Sequence, residues 1–290
     1  MSHSLFISDL HLSAAQPHSM AAFQHFIAAL APQACPDETT GETTSHPTKQ
    51  PEDGCQVVGY SHSTRLSKDD SQVAGYEPGR RAEALYILGD LFDYWAGDDD
   101  LEDAFHAQVV ASLRNLARHG TRIYLLHGNR DLLMGESLAN ACQAKLLNDP
   151  ALIDLYGTPT LLSHGDMLCT HDAEYQSYRA QVHDANFQQQ FLAKPLAERK
   201  AYITQLRSRS TAEKQNKDSA IMDVNDEAVA ALLREHGYPR LIHGHTHRPD
   251  RHDHIVDGHA CERWVLGDWN DKANALRCDH IGIRWEIIPG

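Results

Sequence analysis

The segment "LIHGHTHRP", residues 241–249, places three histidines at alternate positions behind an apolar run. In an extended chain, residues two apart point the same way, so His243, His245 and His247 can all face one spot. Clustered imidazoles either pack or bind metal, and the other ligands of a metal would have to come from elsewhere in the chain. Candidates are present. "SDLH" offers Asp9 and His11 two residues apart, "GDLFD" offers Asp90 with Asp93 behind it, "GNRD" offers Asn129, and "SHGD" offers His164. With His245 and His247 the set is all oxygen and imidazole, without cysteine. Such donors suit Mn, Fe, Zn or Mg, whereas a sulfur-rich set would favour structural zinc. These seven groups exceed what one ion usually takes, and two ions sharing a carboxylate would use them all. Paired cations about 3.5–4 Å apart are the arrangement used for phosphoryl hydrolysis.

The elements that must position these groups are legible around them. "LFISDLH", "ALYILGDLFD", "RIYLLHGNRD", "PTLLSHGD", "RLIHGHTH" and "ERWVLGDW" are short apolar runs, each ending in a polar cluster. Each reads as a buried strand whose last residues spill into a loop. Helical patterns fall at about 18–31, 101–119, 134–144 and most of 171–236. Strands alternating with helices predict an α/β architecture, and in such sheets ligands bind where loops leave the carboxyl ends of strands. Trp95, Trp264, Trp269 and Trp285 are expected to pack the core or its rim, and Asp98, Asp99 and Asp100 to form a solvated charge run.

Two segments differ from this pattern. Residues 33–80 are rich in Thr, Ser, Asp, Pro and Gly with little apolar periodicity, which predicts a disordered surface insertion. From Arg179 to Lys217, eight basic residues stand against three acidic ones, interleaved with Tyr175, Tyr178, Phe187, Phe191, Ile203 and Leu206 nearby. This stretch is either an amphipathic helix pair with a solvated face or a cap for something anionic and partly apolar, such as a phospholipid-like substrate or a membrane surface.

Bulk properties narrow the class. The chain has 290 residues and a net charge of −14, which argues against generic nucleic-acid binding, because Lys and Arg contacts to phosphate dominate that affinity. Six cysteines form no C-x-x-C pair or regular framework, so free thiols are expected. The N-terminus lacks a basic, then apolar, leader, and no run approaches the ~20 residues of a membrane helix. A soluble, cytoplasmic protein is the expectation.

The ordered blocks D-x-H, GD, GN, GH-type "SHGD" and GHTH resemble those of the calcineurin-like metallophosphoesterases. "HGNRD" with "GDLFDYWAGDDD", "SHGDMLCTHDAEYQSYR", "SAIMDVN" and "LIHGHTHRP" is similar to one branch of them, the UDP-2,3-diacylglucosamine diphosphatases. The resemblance implies an α/β fold, a four-layer α/β/β/α sandwich. Its core would span residues 1–170 and 237–290, and a helical lipid-binding cap residues 171–236. It implies two Mn²⁺ ions, one held by Asp9, His11, Asp90 and His247, the other by Asp90, Asn129, His164 and His245, with His243 in a supporting role. It also implies substrate contacts from Asn129, Arg130, Asp172, Tyr175, Ser210, Lys214, Lys217 and His245. The implied reaction splits UDP-2,3-diacylglucosamine into UMP and 2,3-diacylglucosamine 1-phosphate by attack of an activated water on the uridine-side phosphorus. Its implied place is the cytoplasmic face of an inner membrane.

Three features depart from the wider pattern. Arg130 stands where the broad family carries the histidine of GNH. Arginine stays charged and presents a planar fork to phosphate oxygens, so the leaving group should need little protonation; an ion pair with Asp131 is the alternative use of this side chain. Lys214 stands where the branch is not strictly lysine, and the 33–80 insertion is longer than the link in relatives. A phosphodiesterase or phosphatase acting on another substrate is the alternative enzyme. A metal-fold scaffold is the non-enzymatic one, and such scaffolds typically lose ligands that this chain keeps.

Overall fold

The computed structural model describes residues 2–30, 73–75, 81–214, 223–270 and 273–288, with side chains described except at 73–75 and 209–214. Two sheets form the centre. Strands β1 (Ser4–Ile7), β2 (Val73–Gly75), β3 (Ala84–Leu88), β4 (Arg122–Leu126), β5 (Ala144–Leu146), β11 (Asn274–Asp279) and β12 (Gly282–Ile287) make the larger, ordered β2-β12-β11-β1-β3-β4-β5. Strands β6 (Ala151–Leu155), β7 (Thr158–Ser163), β8 (Arg240–His243), β9 (Asp250–Val256) and β10 (His259–Val265) make the smaller, ordered β6-β7-β8-β10-β9. Within each sheet the strands that carry the polar tips run parallel: β1, β3 and β4 in one, β7, β8 and β10 in the other. Their carboxyl ends therefore emerge on a shared rim.

Side-chain alternation builds the layers. Leu5 and Ile7 face one way with Leu85, Ile87, Ile123 and Leu125, against the helices α1 (Pro17–Leu30), α2 (Ala104–Arg118) and α3 (Glu136–Cys142). Phe6, Leu88 and Leu126 face the other way and meet Leu162, Ile242, Trp264 and Leu266 of the smaller sheet. Leu161 and Leu241, on the far side of that sheet, meet Val229, Leu232 and Leu233 of α7 (Asp226–Glu235). A strand with period two buries both faces only between two apolar layers, and the order helix, sheet, sheet, helix follows. The helices read as amphipathic for the same reason. In α2 the buried residues His106, Val109, Val110, Leu113 and Leu116 fall three and four apart, and Asp103 caps its first turn by accepting from the Phe105 N–H.

Three expectations shift. The cap consists of α4 (Ala173–Val182), α5 (Ala185–Leu192) and α6 (Leu196–Lys214). α7, inside the expected 171–236 range, instead buries its apolar face on the smaller sheet and belongs to the core. Val73–Gly75 pair in parallel with β12 at the sheet edge, so the expected insertion contains a short strand there; residues 33–72 and 76–80 lie outside the described residues. The Asp98–Asp100 run forms a short 3-10 helix in which Asp99 is exposed as expected, while Asp98 and Asp100 are not solvated. Asp98 accepts from the Gly135 and Leu138 N–H groups and from Trp95 Nε1, Asp99 pairs with the buried Arg199 guanidinium, and Asp100 pairs with Lys200. Trp95, Trp264 and Trp269 are buried as expected, and Trp285 packs against the inter-sheet core. Cys142, Cys169, Cys261 and Cys278 are buried free thiols.

Candidate metal centre

Five of the seven candidate ligands sit on backbone that L-residues rarely adopt. Asp9, His11, Asp90, His245 and His247 have φ of 56°, 49°, 53°, 68° and 57°. The left-handed region costs roughly 1–2 kcal/mol for each non-glycine residue, so neighbouring groups must hold these loops in place. The loops do so by bonding to one another. Asp9 N–H donates to the Gly89 carbonyl at 3.2 Å, His11 N–H to the Asp90 carbonyl at 3.0 Å, and His245 N–H to Asp9 Oδ2 at 2.9 Å. Asp131, fully buried, accepts from the backbone N–H groups of Asp90, Leu91, Phe92 and Gly128, which ties the β3 loop to the β4 loop. It is thus committed to backbone and does not pair with Arg130; Arg130 Nη1 lies 3.4 Å from Asp93 Oδ1. Two glycines permit the close approach. A Cβ on Gly128 would overlap Asp90, and one on Gly244 would overlap Ser8 and Asp9.

The side chains converge. His247 Nε2 is 3.1 Å from Asp9 Oδ1 and 3.4 Å from His11 Nε2, while His11 Nδ1 is 3.6 Å from Asp90 Oδ2. On the other side, Asn129 Oδ1 is 3.1 Å from His164 Nε2 and 3.0 Å from His245 Nδ1, and His164 Nε2 is 3.9 Å from Asp90 Oδ1. Asp90 stands between the two groups, one carboxylate oxygen toward each. Imidazole nitrogens face each other in both groups, His11 with His247 and His164 with His245 at 3.3 Å. His164 Nδ1 donates to the Leu88 carbonyl at 2.9 Å, which fixes Nε2 toward the cluster. Asp268 does the same for His247, lying 3.2 Å from its Nδ1. A carboxylate or carbonyl behind an imidazole is the usual way of aiming a metal ligand.

The electrostatics require added positive charge. Burial and the nearby Asp131 and Asp9 push the Asp90 carboxyl up to about 7 against the pull of His164. Burial also works to raise Asp9, yet its bond to His247 and the charges of His164, His247 and His11 hold it well below the carboxylate range. Burial works to lower His164 and His247, but Asp90 and Asp9 carry the first up to about 9, and Asp268 and Asp9 carry the second to about 10. Protons on imidazoles thus balance the buried carboxylates where divalent cations would do so by coordination. His11 Nδ1 is buried without a hydrogen-bond partner, and burial takes that imidazole down to about 3, so the ring is neutral with one nitrogen lone pair able to ligate. Carboxylate, amide-oxygen and imidazole atoms converging on two points, with Asp90 between them, fit metal ions.

His243 turns away from this cluster. It is fully buried, its Nδ1 2.9 Å from the Gly244 carbonyl and its Nε2 3.3 Å from Arg263, in keeping with a supporting role. Another carboxylate-imidazole group, Asp100, Asp103 and His106, lies under the cap. The Lys200 ammonium fills it, 2.6 Å from Asp100 and 3.4 Å from Asp103.

A cavity of about 610 Å³ leads from the cluster into the cap. Asn129, Arg130, His245 and His247 line one end; Phe187, Phe191, Ile203 and Leu206 line the other. Arg207, on α6, lines it too and shares Asp93 with Arg130. Asp172 and Tyr175 reach this cavity as expected, although the Asp172 carboxylate also caps α4 by accepting from the Tyr175 N–H at 3.0 Å. Ser210 and Lys214 lie on the last turns of α6 where side chains are not described, and Lys217 lies outside the described residues. Sequence reasoning missed the roles of Arg207, Asp131 and Asp268. Asp268 sits at a strand-end polar cluster, "VLGDW", of the same kind as those that were used.

The model of the calcineurin-like phosphoesterases matches residues 3–249. The chain belongs to that family. Among curated relatives, a UDP-2,3-diacylglucosamine hydrolase of Aromatoleum aromaticum is 57% identical over 205 residues, 71% of this chain and 83% of the relative. One of Nitrosococcus oceani is 48% identical over 203 residues, 70% of this chain and 81% of the relative. One of Edwardsiella ictaluri is 40% identical over 286 residues, 98% of this chain and 92% of the relative. Within the family, the chain is thus placed among the UDP-2,3-diacylglucosamine hydrolases.

Proposed function

We propose that this protein hydrolyses the diphosphate of UDP-2,3-diacylglucosamine to UMP and 2,3-diacylglucosamine 1-phosphate, a step of lipid A biosynthesis. The observation that carries the reading is one cavity lined both by Asn129, His245 and His247 of the cluster with Arg130 and Arg207, and by aromatic and aliphatic side chains of the cap. A substrate with a charged diphosphate beside two acyl chains matches both linings. Apolar burial of those chains contributes about 0.8 kcal/mol per CH₂, and the relatives carry the matching name.

Asp9, His11, Asp90 and His247 would hold one cation and Asp90, Asn129, His164 and His245 a second, both Mn²⁺ in our reading. Such a pair supplies Lewis acidity and brings the pKa of water toward neutral. The chain's own residues do the rest. The Arg130 N–H donates to Asp90 Oδ1 at 2.8 Å, which keeps that carboxylate turned inward. Arg130 and Arg207, set by their common partner Asp93, present guanidinium forks to the phosphoryl oxygens and offset charge that grows during the reaction. Water attacks the phosphorus attached to uridine, the bond from that phosphorus to the bridging oxygen breaks, and the sugar phosphate leaves with the electron pair. A phosphate leaving group needs no proton from the protein, consistent with arginine where a proton donor could stand. Asp172, Tyr175, Ser210, Lys214 and Lys217 are assigned to the remainder of the substrate.

We place the protein peripherally on the cytoplasmic face of the inner membrane. No helix among the described residues is long and apolar enough to cross a membrane. The cap exposes Leu192, 42% accessible, and carries Lys194, Arg199, Lys200 and Arg207 on α5, α6 and the turn between them, a combination suited to an anionic lipid surface. The test of the function is turnover of UDP-2,3-diacylglucosamine by purified protein with and without Mn²⁺, beside an aryl phosphodiester. Mn²⁺-dependent release of UMP is expected; cleavage of the aryl compound alone would replace this reading with a general phosphodiesterase.

A further inference from the structure

Asp166 follows two residues behind His164 in "SHGD" and is 3% exposed. Nothing in the proposed chemistry uses it. Yet it is the point at which the first cap helix is fastened to the metal loops. Its Oδ2 accepts from the Tyr175 hydroxyl at 2.9 Å and from Arg179 Nε at 2.8 Å, and its carbonyl accepts from Gln176 Nε2 at 2.9 Å. Tyr175 and Gln176 lie four and three residues before Arg179 on α4; the helix buries no side chain, and its other ties to the core are Gln176 Nε2 to the Cys169 carbonyl at 3.2 Å and the Tyr175 ring. Tyr175 in turn packs its ring on His245, centroids 5.7 Å apart and planes 29° from parallel. A second cavity, of about 460 Å³, is lined by Asp166 and Arg179. Tyr175 lines the 610 Å³ cavity. The Asp166–Tyr175–Arg179 cluster therefore borders both spaces.

We infer that Asp166 is a positioning residue for the diphosphate hydrolysis: it fixes α4 so that the face of the Tyr175 ring, with the hydroxyl committed to Asp166, forms the wall that receives substrate beside His245. The inference rests on the function proposed above and adds to it the residue that aligns cap with core. Losing the carboxylate lets α4 shift and blurs that wall. The metal ligands, held by their own loops, stay put. Affinity then suffers and the chemical step does not.

The test uses Mn²⁺-loaded full-length protein. Asp166→Asn, Tyr175→Phe and their double variant are compared with wild type for bound Mn²⁺, for kcat and KM on UDP-2,3-diacylglucosamine, and for Kd of 2,3-diacylglucosamine 1-phosphate by calorimetry. Each single variant should raise KM and Kd about ten-fold, the scale of one charge-assisted hydrogen bond, with kcat within about two-fold. Bound Mn²⁺ should match wild type, and the double variant should be no worse than the more severe single variant, because both act on one contact: Asn takes the charge from the acceptor and Phe removes the donor. A fall in kcat at unchanged KM and Kd, or losses that multiply in the double variant, would overturn the assignment. Should Asp166→Asn fail to fold, Tyr175→Phe and Arg179→Gln remove the same bonds from the cap side, and wild-type KM and Kd in both would overturn it equally. Wild-type protein that neither cleaves the substrate nor binds the product sinks the proposed function itself, a result distinct from normal wild-type turnover with unaffected variants.

Discussion

The metal loops and the cap are held together by opposite means. In the loops, strained backbone is locked by short bonds between neighbouring strand ends; Asp9, His11, Asp90 and His164 are buried, and Asn129, His245 and His247 are half-buried. In the cap, α4 buries no side chain and α5 buries only Phe191. Its docking depends on long charged side chains reaching aspartates of the core: Arg179 to Asp166, Arg207 to Asp93, Arg199 to Asp99 and Lys200 to Asp100. Bonds of that kind are few and separable, whereas the loop network fails as a unit. Chemistry that tolerates little misplacement thus sits on the interlocked part. Capture of a flexible, two-chained substrate sits on the adjustable part.

The largest test of this contrast is Asp90→Ala, which removes the carboxylate facing both ligand groups. Turnover should fall about 10³-fold or more, with Mn²⁺ content reduced by elemental analysis, and chelation of the wild type should give the same loss. Near-normal turnover with Mn²⁺ present would show that the loops do not share one carboxylate. Gly128→Ala touches no ligand atom chemically but pushes a methyl into Asp90. A displacement of that size costs about 10²-fold in rate, and wild-type kcat would show the loops to be softer than their strain implies. Arg207→Ala should lower kcat/KM about 30-fold, the scale of a charged hydrogen bond, while bound Mn²⁺ stays at wild type; metal loss there would join cap and centre into one unit and erase the comparison. Asp268→Asn, behind His247, should weaken Mn²⁺ affinity about ten-fold by titration, with product affinity unchanged at saturating metal.

How much of this was legible in the sequence differs by region. The strand-end clusters were readable because a buried strand is a short apolar run and its loop must carry the polar groups, so Asp9, His11, Asp90, Asn129, His164, His245 and His247 could be picked out residue by residue. The strands β1, β3, β4, β7, β8 and β10 fall where those runs were found. Asp131 entered the sequence reading only as an alternative partner for Arg130, and its actual role was not legible, since its backbone donors come mostly from a loop about forty residues away. Arg207 was one of many basic residues in the cap, and nothing local marks it as the one that meets Asp93. The extent of the cap was overdrawn for a similar reason. α7 has the same apolar spacing as a cap helix, and only its contacts with Leu161 and Leu241 assign it to the core.

The sequence by itself determined the donor set, its lack of thiolate, the arginine in place of an imidazole and the strand–loop grammar that carries them, because these depend on residue type and local period. Only the tertiary structure decided that Asp90 stands between two groups of ligands, that five ligands sit on left-handed backbone, and that aspartates after β3 and β7 recruit basic side chains of the cap. Those facts depend on distances between segments far apart in the chain. Local periodicity fixes which way a side chain points from its own strand, and says nothing about what arrives to meet it.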